Sequence, residues 1–235
     1  MDISIIAPVF NEEANIPILH RSLRAVMDPL CKDYEIIVVN DGSTDKSLNI
    51  LQNIQLADKR VRLINFDKNY GQTAALDAGL RSANGKYILT IDADLQCDSK
   101  DLIKVLENLK TYDFVISYRI NRLSSDGLIK FLSTKIANYI RNKVLNEHFQ
   151  DAGCFLRGFR RGCINELVLF MDSQVFLASF LHIKGFSCKE IEIKSCPRKH
   201  GVSKYNIRNR LVKSLIALMA VKWMKDNKIK YKISA

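Results

Sequence analysis

Ile88-Leu89-Thr90-Ile91-Asp92-Ala93-Asp94-Leu95-Gln96 is the stretch that decides how this 235-residue chain is read. An apolar run rich in β-branched residues ends abruptly in two carboxylates one residue apart, with an amide two further on. Such a run reads as a buried strand. Continued as extended chain, it turns Asp92, Asp94 and Gln96 to the same side. Three oxygen donors on one side suit a hard divalent cation, Mg2+ or Mn2+, that takes its other ligands from water and substrate phosphates. Standing alone, an Asp-x-Asp after a strand reads as a solvated loop, so the rest of the chain has to decide.

Strand-like segments recur on both sides of this stretch, at 3–8, 34–40, 61–66, 86–91 and 113–117, with helical patterns at 14–27, 45–56, 72–83 and 100–109. Pro8 is expected to close the first strand, since proline cannot donate into a central ladder. Ser43 or Thr44 is the expected N-cap of the helix that follows the second. This alternation predicts an α/β fold, a mostly parallel sheet with helices on both faces. Every predicted strand exit carries polar chemistry: Asn11 and Glu12, Asp41, Asp67, Asp92 and Asp94, then Arg119. Open α/β sheets bind ligands outside the carboxyl ends of their strands. The chain has no G-x-G-x-x-G after its first strand and no G-x-x-x-x-G-K-[ST], which disfavours a dinucleotide fold and a P-loop NTPase. A nucleotide would be held by its base and ribose, with a metal neutralising its diphosphate.

The charge is uneven. Residues 1–110 carry 13 Lys and Arg against 16 Asp and Glu, whereas residues 111–235 carry 23 against 9. An acidic half that holds a cation and a basic half that receives an anion is the economical reading. In the basic half the alternation breaks. Residues 126–145 have helical spacing, Asp151 is a general base or a helix cap, and Arg157, Arg160 and Arg161 form a basic cluster. Residues 186–193 alternate imperfectly, like a strand. The loop Pro197-Arg198-Lys199-His200-Gly201-Val202-Ser203-Lys204-Tyr205 reads as a phosphate clamp or a solvated basic turn. Residues 207–224 form a basic amphipathic helix ending near Trp223, suited to a membrane interface or to packing on its own domain or a second copy. Six cysteines show no metal or C-x-x-C spacing and are expected as reduced thiols. No signal peptide and no bilayer-spanning run is expected.

The motifs Pro8-Val9-Phe10-Asn11-Glu12-Glu13, Val39-Asn40-Asp41-Gly42-Ser43-Thr44-Asp45, Asn69-Tyr70-Gly71, Asp92-Ala93-Asp94-Leu95-Gln96 and Arg198 to Tyr205 come in this order. The set resembles the family 2 inverting glycosyltransferases of GT-A fold. Within them it is similar to the dolichol-phosphate mannosyltransferase and undecaprenyl-phosphate glycosyltransferase branch. The resemblance covers residues 1 to about 210, and the Gly-x-Ser-Lys-Tyr loop carries the polyprenyl-phosphate part. It implies a GT-A catalytic domain over 1–205, with a nucleotide-sugar half (1–118) and an acceptor half (119–205), followed by a C-terminal amphipathic helix over 206–235. It places Pro8, Phe10, Asn11, Glu12, Asp41, Asp67, Asp92 and Ala93 around the nucleotide sugar. Asp92, Asp94 and Gln96 would hold Mg2+ or Mn2+ with the donor diphosphate. Arg119, Ser133, Arg198, Ser203 and Lys204 would face the acceptor phosphate, and Asp151 would stand at the base position, so that Asp94 and Asp151 are the candidate catalytic residues. Many relatives append transmembrane helices after the Ser-Lys-Tyr loop, and this sequence stops at Ala235.

The expected reaction is a single inverting displacement that moves a sugar from a nucleotide-sugar donor to a polyprenyl phosphate. It would take place peripherally at the cytoplasmic face of a membrane, with a membrane partner protein or a second copy as possible company. Two rivals stand beside it. One is a glycosyltransferase acting on a hydroxyl of a surface polysaccharide or lipid-linked oligosaccharide. The other is a sugar-nucleotide-binding subunit that recruits a membrane partner. Nucleic acid is not an expected partner, because net charge without a recognition motif is weak evidence.

Overall fold

The computed structural model describes residues 1–30, 33–121, 128–197 and 207–228. Its core is a seven-stranded sheet in the order β3-β2-β1-β4-β6-β5-β7. The strands are β1 (Ile3–Val9), β2 (Tyr34–Asn40), β3 (Val61–Asn65), β4 (Tyr87–Thr90), β5 (Phe114–Ile120), β6 (Arg157–Arg160) and β7 (Cys188–Lys194). All neighbours pair in parallel except β6, which runs antiparallel to both β4 and β5. The helices are α1 (Ile16–Leu30), α2 (Ser47–Ala57), α3 (Gln72–Ser82), α4 (Asp101–Leu109), α5 (Leu128–Leu145), the single turn α6 (Arg161–Ile164), α7 (Leu177–Lys184) and α8 (Ile207–Asp226).

Side chains alternate across β1, and this splits the core into two layers. Ile3, Ile5, Ala7 and Val9 pack with Leu19 and Leu23 of α1, Leu51 of α2 and Leu102 and Val105 of α4. Ile6 faces the other layer, with Leu76 and Leu80 of α3, Leu177 and Leu181 of α7 and Leu218 and Val221 of α8. Helices thus cover both faces, as the alternation predicted.

Pro8 does not close β1. It is buried within the strand, paired in register with Val39. The ladder with β4 ends at the Ile6–Thr90 pair, and Ile6 accepts its bond from Ile91 on that side. Two residues on, the missing N–H of Pro8 faces the same side, past the last residue of β4, where no ladder bond is lost. Nor do Ser43 and Thr44 cap α2. Lys46 occupies that position without a side-chain bond, and the two hydroxyls are taken up by Asn11.

Strand β1 feeds a helix toward β2 on one side, and its other neighbour is β4. The chain order reverses between β1 and β4, so the crevice of this sheet opens at the exits of these two strands. The loops starting at Phe10 and Ile91 leave the sheet there.

Candidate active site

The first wall of the crevice is built by loops that hold one another. Asn11 sits in the left-handed region at φ 53°, which asparagine tolerates better than most residues. Its backbone N–H donates to Ser43 Oγ at 2.9 Å, and its Oδ1 accepts from the Thr44 N–H at 2.7 Å. The Glu12 N–H donates to Ser47 Oγ at 2.9 Å, and Glu12 Oε2 accepts from Asn15 Nδ2. Phe10 is half-buried beside them.

Asp41 is buried, and its carboxylate is engaged inside the protein. Oδ1 accepts from the Tyr70 N–H at 2.7 Å, while Oδ2 accepts from Asn69 Nδ2 at 2.9 Å and from the Gly71 N–H at 3.0 Å. Burial pushes this carboxyl up, against the Tyr70 and Gly71 N–H groups, which pull it down. Asp41 therefore shapes the 67–71 loop. Asp67 is exposed there, and its hydrogen bond with the Tyr70 hydroxyl raises the pKa of that phenol.

The acidic motif differs in shape from the extended ladder expected of it. Strand β4 ends at Thr90, and residues 93–94 form a turn. Leu95 is in the left-handed region at φ 59°, a conformation that costs on the order of 1–3 kcal/mol outside glycine. Asp94 Oδ1 accepts from the Gln96 N–H at 3.1 Å, which closes the turn. Ala93 and Gln96 are buried, and the Gln96 carbonyl accepts from the Cys196 N–H. The three donors thus lie on a turn, and Gln96 anchors it to the chain after β7. Asp92 and Asp94 are half-buried. Asp92 Oδ1 accepts from Gln72 Nε2 at 2.8 Å, a contact from the first turn of α3 that the sequence did not point to. Burial, then the Asp94 charge and the Cys154 thiol, push the Asp92 carboxyl up to about 8, while Arg119 and Arg157 pull it down.

The second wall comes from the other half of the chain. Arg119, at the end of β5, donates through Nε to Asp151 Oδ2 at 2.9 Å and, more distantly, through Nη2 to Oδ1 at 3.5 Å. The two side chains are 12% and 5% exposed, so this is an interior ion pair. Burial pulls the guanidinium down, but the charge of Asp151, the neighbouring Cys154 and the hydrogen bond to Asp151 together leave Arg119 above its ordinary value. Arg119 and Asp151 are therefore brought together. Ser133 lies on the exposed side of α5. Arg198, Ser203 and Lys204 fall outside the described residues.

The basic cluster after Asp151 is not a patch awaiting an anion. Arg157 is buried and donates to the carbonyls of Cys154, Gln174 and Ala152 at 2.7, 2.7 and 2.8 Å. Arg160 donates to the carbonyls of Leu109 and Lys110 at the end of α4, and Arg161 to those of Ala83 and Gly85. These guanidiniums satisfy backbone acceptors at helix ends and turns.

Among the described residues, no group of three or more His, Cys, Asp or Glu side chains is placed to hold a metal. What the site does have is two neighbouring carboxylates, one of them destabilised as an anion by the other. That donor set fits a hard cation which takes most of its ligands from a bound diphosphate.

A parallel α/β sheet with one antiparallel insertion, carrying an acidic turn at its switch point, defines a GT-A type fold. The chain belongs to glycosyl transferase family 2, whose model matches residues 4–168. It is 32% identical over 208 residues to undecaprenyl-phosphate 4-deoxy-4-formamido-L-arabinose transferase from Aeromonas hydrophila subsp. hydrophila, covering 87% of this chain and 63% of the relative. It is 31% identical over 227 residues to dodecaprenyl-phosphate galacturonate synthase from Rhizobium johnstonii, covering 93% of this chain and 67% of that one. The chain thus spans about two thirds of the length of these curated relatives. Glucosyl-3-phosphoglycerate synthase from Mycobacterium tuberculosis, solved with Mn2+, UDP-glucose and phosphoglyceric acid, has the same fold, with a TM-score of 0.71 at 16% identity over 97% of this chain and 81% of that one. The mannosyltransferase PcManGT from Pyrobaculum calidifontis, solved with GDP-mannose and Mn2+, has a TM-score of 0.68 at 20% identity over 97% and 65%.

Proposed function

We propose that the protein transfers a sugar from a nucleotide-sugar donor to a polyprenyl phosphate, working peripherally at the cytoplasmic face of a membrane. The observation that carries this reading is that the acidic turn after β4 and the Arg119–Asp151 pair lie at one edge of the sheet, near enough for the Arg119 charge to pull the Asp92 carboxyl down. One end is anionic and suits a metal–diphosphate. The other holds a guanidinium that can face an acceptor anion. The names of the two relatives, each acting on a polyprenyl phosphate, supply the acceptor class.

Pro8, Phe10, Asn11, Glu12, Asp67 and Ala93 line the donor end, and Asp41 holds the 67–71 loop in place against it. Asp92 and Asp94 would hold Mg2+ or Mn2+, which supplies electrostatic stabilisation of the leaving nucleoside diphosphate. An acceptor phosphate oxygen forms the new bond to the anomeric carbon as the bond to the diphosphate oxygen breaks, with inversion. A phosphate monoester is largely dianionic near neutral pH, its second pKa being about 6. It needs no base. A hydroxyl acceptor would need one, and Asp151, buried and locked to Arg119, is poorly disposed to serve. The phosphate reading is favoured on that ground. Ser133, Arg198, Ser203 and Lys204 complete the acceptor end in this proposal.

The test is thermal stabilisation by a panel of nucleotide sugars with Mg2+ or Mn2+, followed by transfer of labelled sugar to a polyprenyl phosphate in detergent. A ligand at about 100 times its Kd adds roughly 2.7 kcal/mol of stability. Chelation with EDTA and Asp94→Ala should each remove that gain and the transfer. Transfer that survives both would overturn the proposal.

A further inference from the structure

The Asp92 carboxylate is acted on from several sides. Asp94 repels it, and the two guanidiniums whose charge reaches it, Arg119 and Arg157, belong to the second wall. Both are engaged elsewhere, Arg119 by Asp151 and Arg157 by the carbonyls of Cys154, Gln174 and Ala152. Among the described residues, the one hydrogen bond to the Asp92 side chain comes from Gln72, whose Nε2 donates to Oδ1 at 2.8 Å. Oδ2 takes none among them.

Gln72 is itself seated from both sides. It is the first residue of α3 and is half-buried. Before it, the Gly71 N–H donates to Asp41 Oδ2 at 3.0 Å. After it, the hydroxyl of the buried Thr73 donates to Gln174 Oε1. The Gln174 carbonyl in turn accepts from Arg157 Nη1 at 2.7 Å. Ala75 and Leu76 then pack into the second core layer. A supporting side chain fixes its partner only when it is itself fixed, and these contacts fix the start of α3. The chemistry fits as well. A neutral amide orients a carboxylate without cancelling its charge, whereas a lysine or arginine here would compete with a metal ion for it. Carboxylates that ligate metals are ordinarily held by such partners.

We infer that Gln72 is a positioning residue: from α3 its neutral amide holds Asp92 by Oδ1 and leaves Oδ2 for the divalent cation that accompanies the donor diphosphate. This role rests on the proposed function and adds to it a residue that acts through Asp92.

Gln72→Met keeps the length of the side chain and removes the donor. Free Mn2+ is read by electron paramagnetic resonance in the presence of protein and a nucleoside diphosphate, with UDP, GDP, CDP and dTDP tried in turn. The parent should bind Mn2+ with one of them, and Gln72→Met should weaken that binding about 10–100-fold. In the transfer assay the KM for Mn2+ should rise by a similar factor, while kcat returns at saturating Mn2+. Gln72→Lys keeps a donor but adds a charge, so it too should lose about tenfold or more in Mn2+ affinity. Circular dichroism and cooperative melting show whether each variant is folded, and either folded variant alone decides the matter. A Mn2+ affinity unchanged from the parent's overturns the role. So does a kcat that stays low at saturating Mn2+, the mark of general damage to the site. Both results leave the proposed function standing as long as the parent transfers sugar with Mn2+. A parent that binds Mn2+ with no nucleotide and transfers nothing refutes the proposed function and removes this role with it.

Discussion

Asp151→Asn is the substitution that separates two roles for the buried carboxylate. Asparagine keeps the shape and one acceptor for Arg119 Nε but removes the charge, leaving an uncompensated guanidinium with the buried Arg157 nearby. Removing one partner of a buried ion pair costs about 3–5 kcal/mol. Here one of the two contacts is long and Arg119 keeps 12% exposure, so the low end, about 3 kcal/mol, applies. For a chain of this size that lowers Tm by roughly 6–12 °C. Urea unfolding should show a lower midpoint with an unchanged slope. The double variant Arg119→Met with Asp151→Leu should recover most of the loss, because no unpaired charge remains at the pair. Recovery should be incomplete, since Asp151 also compensates Arg157. Transfer assayed well below the new Tm should lose affinity for the acceptor more than kcat. An Asp151→Asn protein as stable as its parent, with kcat reduced by orders of magnitude, would refute this reasoning and make Asp151 a base.

Two further expectations concern the scaffold. Glu35 is buried, and burial pushes its carboxyl up, but bonds from Ser4, Arg62 and the Asn84 N–H hold it below the ordinary range. Such a depressed carboxyl stabilises the fold above its unfolded-state value of about 4.3, and this contribution is lost as pH falls through the lower folded-state value. Glu35→Gln should therefore lower Tm at neutral pH and flatten the acid limb of the Tm–pH curve; an acid limb identical to the parent's would contradict the assignment. Gly42, at φ +64°, lies so close to the 67–71 loop that an added Cβ would stand 2.2 Å from the Lys68 carbonyl carbon and 2.5 Å from the Asn69 nitrogen. Gly42→Ala should cost about 1–3 kcal/mol and weaken nucleotide binding, read by melting and by titration with UDP and GDP.

The parallel strands were legible because their signal is local: β-branched apolar runs end in polar exits, and the run at 34–40 coincides with β2. What failed was geometry that depends on partners. Pro8 is harmless inside β1 only because β4 has already stopped, which no window of sequence contains. The chain turns at 93–94 with Leu95 left-handed just after, and leucine gives no warning of that conformation. The three arginines after Asp151 read in sequence only as a basic cluster. Their guanidiniums are instead consumed by carbonyls that the fold carries to them from α3, α4 and the 173–176 turn. Gln72 went unremarked because its carboxylate partner, Asp92, lies 20 residues on.

Strand β6 explains how a site split between the two halves of the chain is held together. Parallel strands all deliver their exits to one edge of the sheet, so β5 brings Arg119 to the edge that already carries Asp92. An antiparallel strand delivers its entrance there instead. Because β6 is inserted between β4 and β5, the segment before it must lie against both exits, and Thr90 Oγ donates to the Phe155 carbonyl at 2.6 Å. Arg157, opposite Thr90 in the ladder, then fixes that segment through the Ala152 and Cys154 carbonyls. The position of Asp151 relative to Asp92 is thereby set by the register of β6 together with the Arg157 bonds to the segment before it. A register is discrete, since a slip of one residue would reverse every side chain of β6. The acidic turn and the guanidinium are accordingly held on one edge by the sheet and by Arg157, and under the proposed function donor and acceptor would meet between them.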